Sequence, residues 1–141
     1  MANQYVGKIT QVKEEGDKLI VFCALVKEGI SGALHGHNVR LIFDLKSHFK
    51  TFKGDFKKGT DVFLNFGRFF GMLFSKRVKK SRVFGRVGED IKISDKKSDK
   101  VNIPVLQSPL LFVEFEDNVV LNDKFLIKYL KRGKRISVTF F

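Results

Sequence analysis

Apolar and polar residues alternate over most of the chain, in short runs separated by turn-forming residues such as Gly, Asp and Asn. A period of two places successive side chains on opposite faces of a sheet, so this pattern predicts β-strands. Polar residues at 14–17 are expected to join the first two strands into a hairpin. The predicted strands cover residues 5–13, 18–26, 39–46, 61–74, 82–87, 110–115 and 135–141.

One short helix is expected before the last predicted strand. Asn122 stands at an N-cap position, Asp123 would complement the dipole of the first turn, and Gly133 after two cations is a C-terminal signal. The residues between them have the apolar spacing of a helix face: Phe125, Leu126, Tyr129 and Leu130.

The length of 141 residues is typical of one domain. Residues 95–104 begin with a run of Ser, Asp and Lys and are predicted to be a linker. This linker would divide a basic β module at residues 1–94 from a strand–helix–strand extension at residues 105–141. The chain is therefore predicted to be a single, mainly β domain with an extension.

The predicted strand at 61–74 carries an aromatic and basic pattern. One face is assigned to the core: Val62, Leu64 and Phe66. A glycine inside a strand usually marks a bulge or a close approach, and Gly67 would shift the register at that point. The outer face is then expected to hold Phe63, Asn65 and either Arg68 or Phe69.

A basic run separates this strand from a second aromatic strand. Its cations are Lys76, Arg77, Lys79, Lys80 and Arg82. In the strand at 82–87, alternation places Arg82, Phe84 and Arg86 together on the outer face. A ring between two guanidinium groups suits base stacking flanked by phosphate contacts, whereas the alternative for the basic run is a solvated loop.

The charge distribution favours a polyanionic partner. The chain has a net charge of +12, and residues 40–100, which begin with Arg40, account for +10 of it. A basic middle third is typical of a nucleic-acid site.

The chain also has sixteen Phe and no Trp, and so many rings in a small domain are expected to reach the surface in part.

Other functions find little support in the sequence. Cys23 is the single cysteine and lies in an apolar run, so it is expected to be a buried, inert thiol in a reducing compartment. His35 and His37 lack Cys or carboxylate partners at ligand spacing, so neither a metal nor another cofactor is expected.

Phosphate-binding loops and hydrolase motifs are absent from the sequence, which argues against an enzyme. The chain has no signal-peptide pattern and no apolar run of membrane-spanning length, so it is expected to be soluble and cytoplasmic.

The turn at Lys58 and Gly59, the alternating strand after it and the Gly67-Arg68 pair resemble the OB-fold, and in particular the small single-stranded DNA-binding proteins of bacteria, phages and mobile elements. The resemblance covers residues 4–93. It implies a five-stranded barrel, to which the sequence adds one short C-terminal helix and an extra strand. It also implies base stacking and phosphate contact at Phe63, Asn65, Arg68 and Phe69. The chain departs from that family in having no Trp and no acidic tail.

The predicted function is non-sequence-specific binding of single-stranded DNA in replication or recombination, through Phe stacking and Lys or Arg phosphate contacts. Two alternatives stay open: an RNA-binding OB module, and an assembly subunit that binds protein through exposed Phe. The expected partner is single-stranded nucleic acid, with DNA favoured over RNA, and not a membrane. A homodimer that pairs through residues 135–141 is also compatible with the sequence.

Overall fold

A computed structural model describes residues 3–27, 37–44, 56–67, 81–91, 100–106, 111–115 and 124–140. These residues form eight strands and one short helix. The strands are β1 (Asn3–Glu15), β2 (Lys18–Lys27), β3 (His37–Asp44), β4 (Asp61–Phe66), β5 (Ser81–Val87), β6 (Val101–Leu106), β7 (Leu111–Phe115) and β8 (Arg135–Phe140), and the helix α1 (Lys124–Ile127) precedes β8.

The eight strands form one closed antiparallel barrel in the order β1-β2-β3-β7-β6-β5-β8-β4, with β4 returning to β1. The first three strands follow chain order as a meander. The final strand does not, because β8 lies between β5 and β4 and pairs with both. Every strand therefore has two neighbours, so the barrel has no open sheet edge among these strands.

Strand alternation fills the barrel interior. Each strand contributes every second residue to the core, as in β3, where Val39, Leu41 and Phe43 are fully buried. Aromatic side chains occupy much of this interior. The ring of Phe56 stacks on that of Phe43 with centroids 5.3 Å apart, and it meets the ring of Phe140 edge-on at 4.6 Å. The core thus ties β3 to β8 across the barrel.

Gly7 allows β1 and β2 to approach closely. A Cβ atom at this position would stand 1.9 Å from the carbonyl oxygen of Ala24 on the neighbouring strand. The register of this strand pair then shifts between Ile9 and Gln11. The close approach therefore excludes a side chain at Gly7. Bulges and small residues such as these are the usual means by which strands bend around a barrel.

The mainly β class is confirmed, but the five-stranded barrel is wrong. The barrel has eight strands, because β6, β7 and β8 complete the wall that residues 1–94 leave open. Residues 101–104 of the predicted linker belong to β6, and residues 95–99 lie outside the described residues. The helix is present before the last strand, and it is shorter than the predicted apolar stripe.

Two predictions about strand edges are also corrected. β4 ends at Phe66, before the positive φ of Gly67, and the remainder of the predicted strand lies outside the described residues. The proposed dimer pairing through residues 135–141 is excluded for β8, because both of its edges are already hydrogen-bonded within the barrel.

Candidate nucleic-acid interface

The position of β8 brings the two predicted aromatic strands onto one outer face of the barrel. Ser137 of β8 pairs in register with Asn65 of β4 on one side and with Phe84 of β5 on the other. Thr139 stands in the same way between Phe63 and Arg82. We call this surface of β5, β8 and β4 the β8 face. The residues that β4 and β5 contribute to this face were predicted from the sequence. The position of β8 between these two strands was not.

Polar side chains in the middle of the β8 face are buried. Asn65 is 4% exposed and Ser137 is 3% exposed, although both alternate with core residues and therefore occupy outer positions. Gln4 of β1, the register partner of Asn65, is also buried. The outer-face prediction for Asn65 is right in register, but the side chain is not presented to solvent.

Phe63 is half-buried on the same face, next to Val6 of β1 and Thr139 of β8. The core assignment of its strand neighbours is confirmed, since Val62, Leu64 and Phe66 are buried. For Arg82 and Phe84 the structure describes the backbone positions in β5. Whether these rings and cations bind nucleic acid stays a prediction.

A cluster of exposed cations lies at the end of the β8 face where β5 finishes and β8 begins. We call it the basic corner, and it consists of Arg86, Lys131, Arg132, Lys134 and Arg135. Arg86 and Arg135 are register partners across β5 and β8. The carboxylates of Glu89 and Asp90 are also exposed nearby, so the cations outnumber the acids at this corner.

Backbone hydrogen bonds hold the basic corner in shape. The Gly133 amide donates to the Val87 carbonyl and the Val87 amide donates to the Lys134 carbonyl, each at 2.8 Å. Gly133 has a φ of 88°, which a residue with a side chain rarely adopts. The Arg86 guanidinium donates to the Gly133 carbonyl at 2.7 Å. These hydrogen bonds fix the backbone that carries the cations of the basic corner.

Gly67 connects the basic corner to the helix. Its amide donates to the Arg135 carbonyl at 2.8 Å, and a Cβ atom here would stand 2.6 Å from Cε1 of the Tyr129 ring. Gly67 was expected to mark a bulge or the approach of another backbone or a ligand, and the group that lies against it is a tyrosine ring of the same chain. This contact packs the residues after α1 against the end of β4.

Arg40 lies elsewhere on the barrel. It is on β3, where its guanidinium forms an ion pair with Glu114 of β7, and both side chains are largely buried. Lys100 stands 3.6 Å from the same carboxylate. A guanidinium already bound to a carboxylate is a poor phosphate ligand, because binding a phosphate would break the existing pair. The prediction of Arg40 as a phosphate contact thus conflicts with its surroundings.

The remaining predicted site residues lie outside the described residues: Arg68, Phe69, Lys76, Arg77, Lys79 and Lys80. The residues of the basic corner other than Arg86 were not predicted as site residues. The signal was available, since four of residues 131–135 are cations. Cations in this position also mark the C-terminus of a helix, and only the pairing of β5 with β8 places them beside the predicted face.

The described residues show few groups with altered chemistry. Cys23 is 2% exposed, which confirms the prediction that it is buried, and burial raises the pKa of its thiol to about 12. Over the described ranges, no three His, Cys, Asp or Glu residues are arranged to hold a metal ion. In the same part of the chain, no helix has the length and apolar character needed to cross a membrane.

No protein-family model and no curated protein sequence matches the chain. Among solved structures, the chain is similar to a crystal structure of the cytoplasmic molybdate-binding protein ModG with molybdate bound, at 14% sequence identity and a TM-score of 0.31. The match covers 98% of this chain and 89% of that one. At such a TM-score the similarity carries no argument about what this chain binds.

Proposed function

We propose that this protein binds single-stranded nucleic acid, with DNA favoured, through the basic corner and the adjoining β8 face. The observation that carries the proposal is the juxtaposition of exposed cations from β5 and from the start of β8 beside an outer face that includes Phe63. Phosphates would bind at the corner, and a base would stack on the exposed part of the ring.

Charge supports a polyanionic ligand. The net charge of +12 belongs to the whole chain, but the basic corner concentrates five cations around one hydrogen-bonded turn. Arg side chains can form bidentate contacts with phosphate, and Lys adds positive charge without a fixed geometry. Such a site favours binding to the backbone over recognition of a sequence, as expected for a role in replication or recombination.

Shape favours a single strand over a duplex. A half-buried ring such as Phe63 can stack only on a base whose face is accessible, and in a duplex the faces are covered by neighbouring bases. Phe63 pairs with Thr139, and Arg135 of the basic corner lies four residues earlier on β8, so about 13 Å of strand separates the ring from the corner. A single strand bound at the corner would have to pass over the buried middle of the β8 face to reach the ring.

The proposal is tested by fluorescence anisotropy with labelled single-stranded DNA, duplex DNA and single-stranded RNA of matched length, each over a series of salt concentrations. We expect the tightest binding to single-stranded DNA and an affinity that falls steeply with salt. Equal or tighter binding of RNA would assign the site to RNA instead. Binding of duplex as well as single strand, or the absence of binding at low salt, would contradict the proposal.

A further inference from the structure

The opposite side of the barrel carries an apolar outer surface. In the strand order, β3 lies four positions from β8, so the outer surface of β2, β3 and β7 points away from the β8 face. Register pairing aligns four apolar residues of adjacent strands in one row: Ile20, Ile42, Phe112 and Pro104. Phe22 stands beside this row, and we call these five residues the apolar face.

The apolar face is not part of the core. All five residues alternate with buried residues on their strands and are half-buried, so a part of each reaches the surface. Leu106 follows Pro104 on the next outer position of β6 and is 56% exposed. Contiguous apolar surface of this kind on a soluble domain usually marks a contact with another protein.

The charges around the apolar face nearly cancel. Lys13 pairs with Glu15 at 2.8 Å, and Arg40 and Lys100 share the carboxylate of Glu114. Lys18 stands opposite Asp44 in the register of β2 and β3. Two molecules that each carry +12 repel one another, and the repulsion is weakest where they meet through a surface with balanced charge.

We infer that the apolar face binds a second copy of this chain and forms a two-fold symmetric dimer. In a two-fold dimer the same surface of both copies meets, so the cations around the apolar face of one copy can lie opposite the acids of the other. The barrel is closed, so the contact is between sheet faces, with the sheets packed about 10 Å apart. Both β8 faces would point outward. The inference does not depend on what the β8 face binds.

The first test is sedimentation velocity over a range of protein concentrations. We expect a monomer–dimer equilibrium that high salt preserves or strengthens, because salt screens the repulsion between the two basic chains. Ile42→Lys should raise the dimer dissociation constant at least about tenfold, since it places a charge at the centre of an apolar contact. Val6→Lys is the matched control, because Val6 is also a half-buried outer residue but lies near the β8 face.

The second test keeps the inference falsifiable if Ile42→Lys does not fold. Ile42→Cys introduces a thiol on the apolar face, while the native Cys23 is buried and unreactive. A thiol-specific crosslinker that spans about 10 Å should link two copies of Ile42→Cys, and Val6→Cys should stay uncrosslinked. A monomer at every concentration, or equal crosslinking of both variants, would overturn the inference and leave this face to a different protein.

Discussion

Phe63 of β4 and Arg82 of β5 are register partners of one residue, Thr139 of β8. Neighbouring strands lie about 4.8 Å apart, so the two backbones are separated by roughly 10 Å at this point. An aromatic and a basic position at this separation lie within reach of one nucleotide and its neighbour. The insertion of the last strand between β4 and β5 therefore creates the candidate interface.

The first prediction concerns base stacking by Phe63. Phe63→Ala should weaken binding of single-stranded DNA by about 1–3 kcal/mol, because an exposed ring surface is lost while the charge is unchanged. Affinities are measured by fluorescence anisotropy at constant salt. Phe22→Ala is the matched control, since Phe22 is half-buried on the opposite side of the barrel. Equal losses in both variants would argue against stacking at Phe63.

The second prediction concerns Gly67. Gly67→Ala should destabilise the fold by about 2–4 kcal/mol, because the new Cβ atom meets a positive φ and the ring of Tyr129 together. Gly59→Ala separates the two causes, since Gly59 has a φ of 89° and open space at its Cβ position. It should cost about 1–2 kcal/mol. Urea unfolding measures both, and equal costs would show that the tyrosine contact contributes nothing.

The third prediction concerns closure of the barrel. A fragment of residues 1–94 should not fold, because it lacks β6, β7 and β8 and leaves the edges of β3, β4 and β5 unpaired. In the full chain, Phe140→Ala should cost about 3–5 kcal/mol, since the ring packs against Phe56 in the core. Circular dichroism and thermal unfolding report both results. A cooperative unfolding transition in the fragment would contradict the eight-stranded arrangement.

The fourth prediction concerns Cys23. The folded protein should not react with a thiol reagent near pH 8, because the pKa of the buried thiol is raised to about 12. In the unfolded chain the thiol ionises near its ordinary pKa of 9.0, so the unfolded state loses this proton first as pH rises. Cys23 therefore lowers the stability of the fold progressively above about pH 9. Rapid labelling under native conditions, or a Cys23→Ala variant with the same alkaline stability profile, would contradict this account.

The local features of the fold followed from the sequence. Alternation located β1, β2, β3, β5, β7 and β8 to within a few residues, and it separated the two faces of β4 because core positions require apolar side chains. Asn65 shows the limit of this reasoning. Alternation gives the face of a residue, but burial on that face depends on what else packs there.

The non-local features did not follow. β6 contains Pro104 and follows a polar run, so its composition favours a linker, and only pairing with β5 and β7 makes it a strand. The position of β8 between two earlier strands is a matter of long-range pairing, which periodicity does not encode. The basic corner depends on the same long-range pairing, and the ion pair of Arg40 with Glu114 joins two residues that are distant in sequence.

The most direct test of the account compares the salt dependence of single-stranded DNA binding in two charge-reversal variants. Lys131→Glu/Lys134→Glu alters the basic corner. Lys57→Glu/Lys58→Glu makes the same change in net charge at two exposed lysines that precede the first residue of β4. We predict that the first variant binds much more weakly and that its log–log salt slope falls by about 1.4, as expected for two lost phosphate contacts, while the second changes little. Equal effects of the two variants would show that only net charge matters and would contradict a binding site at the basic corner.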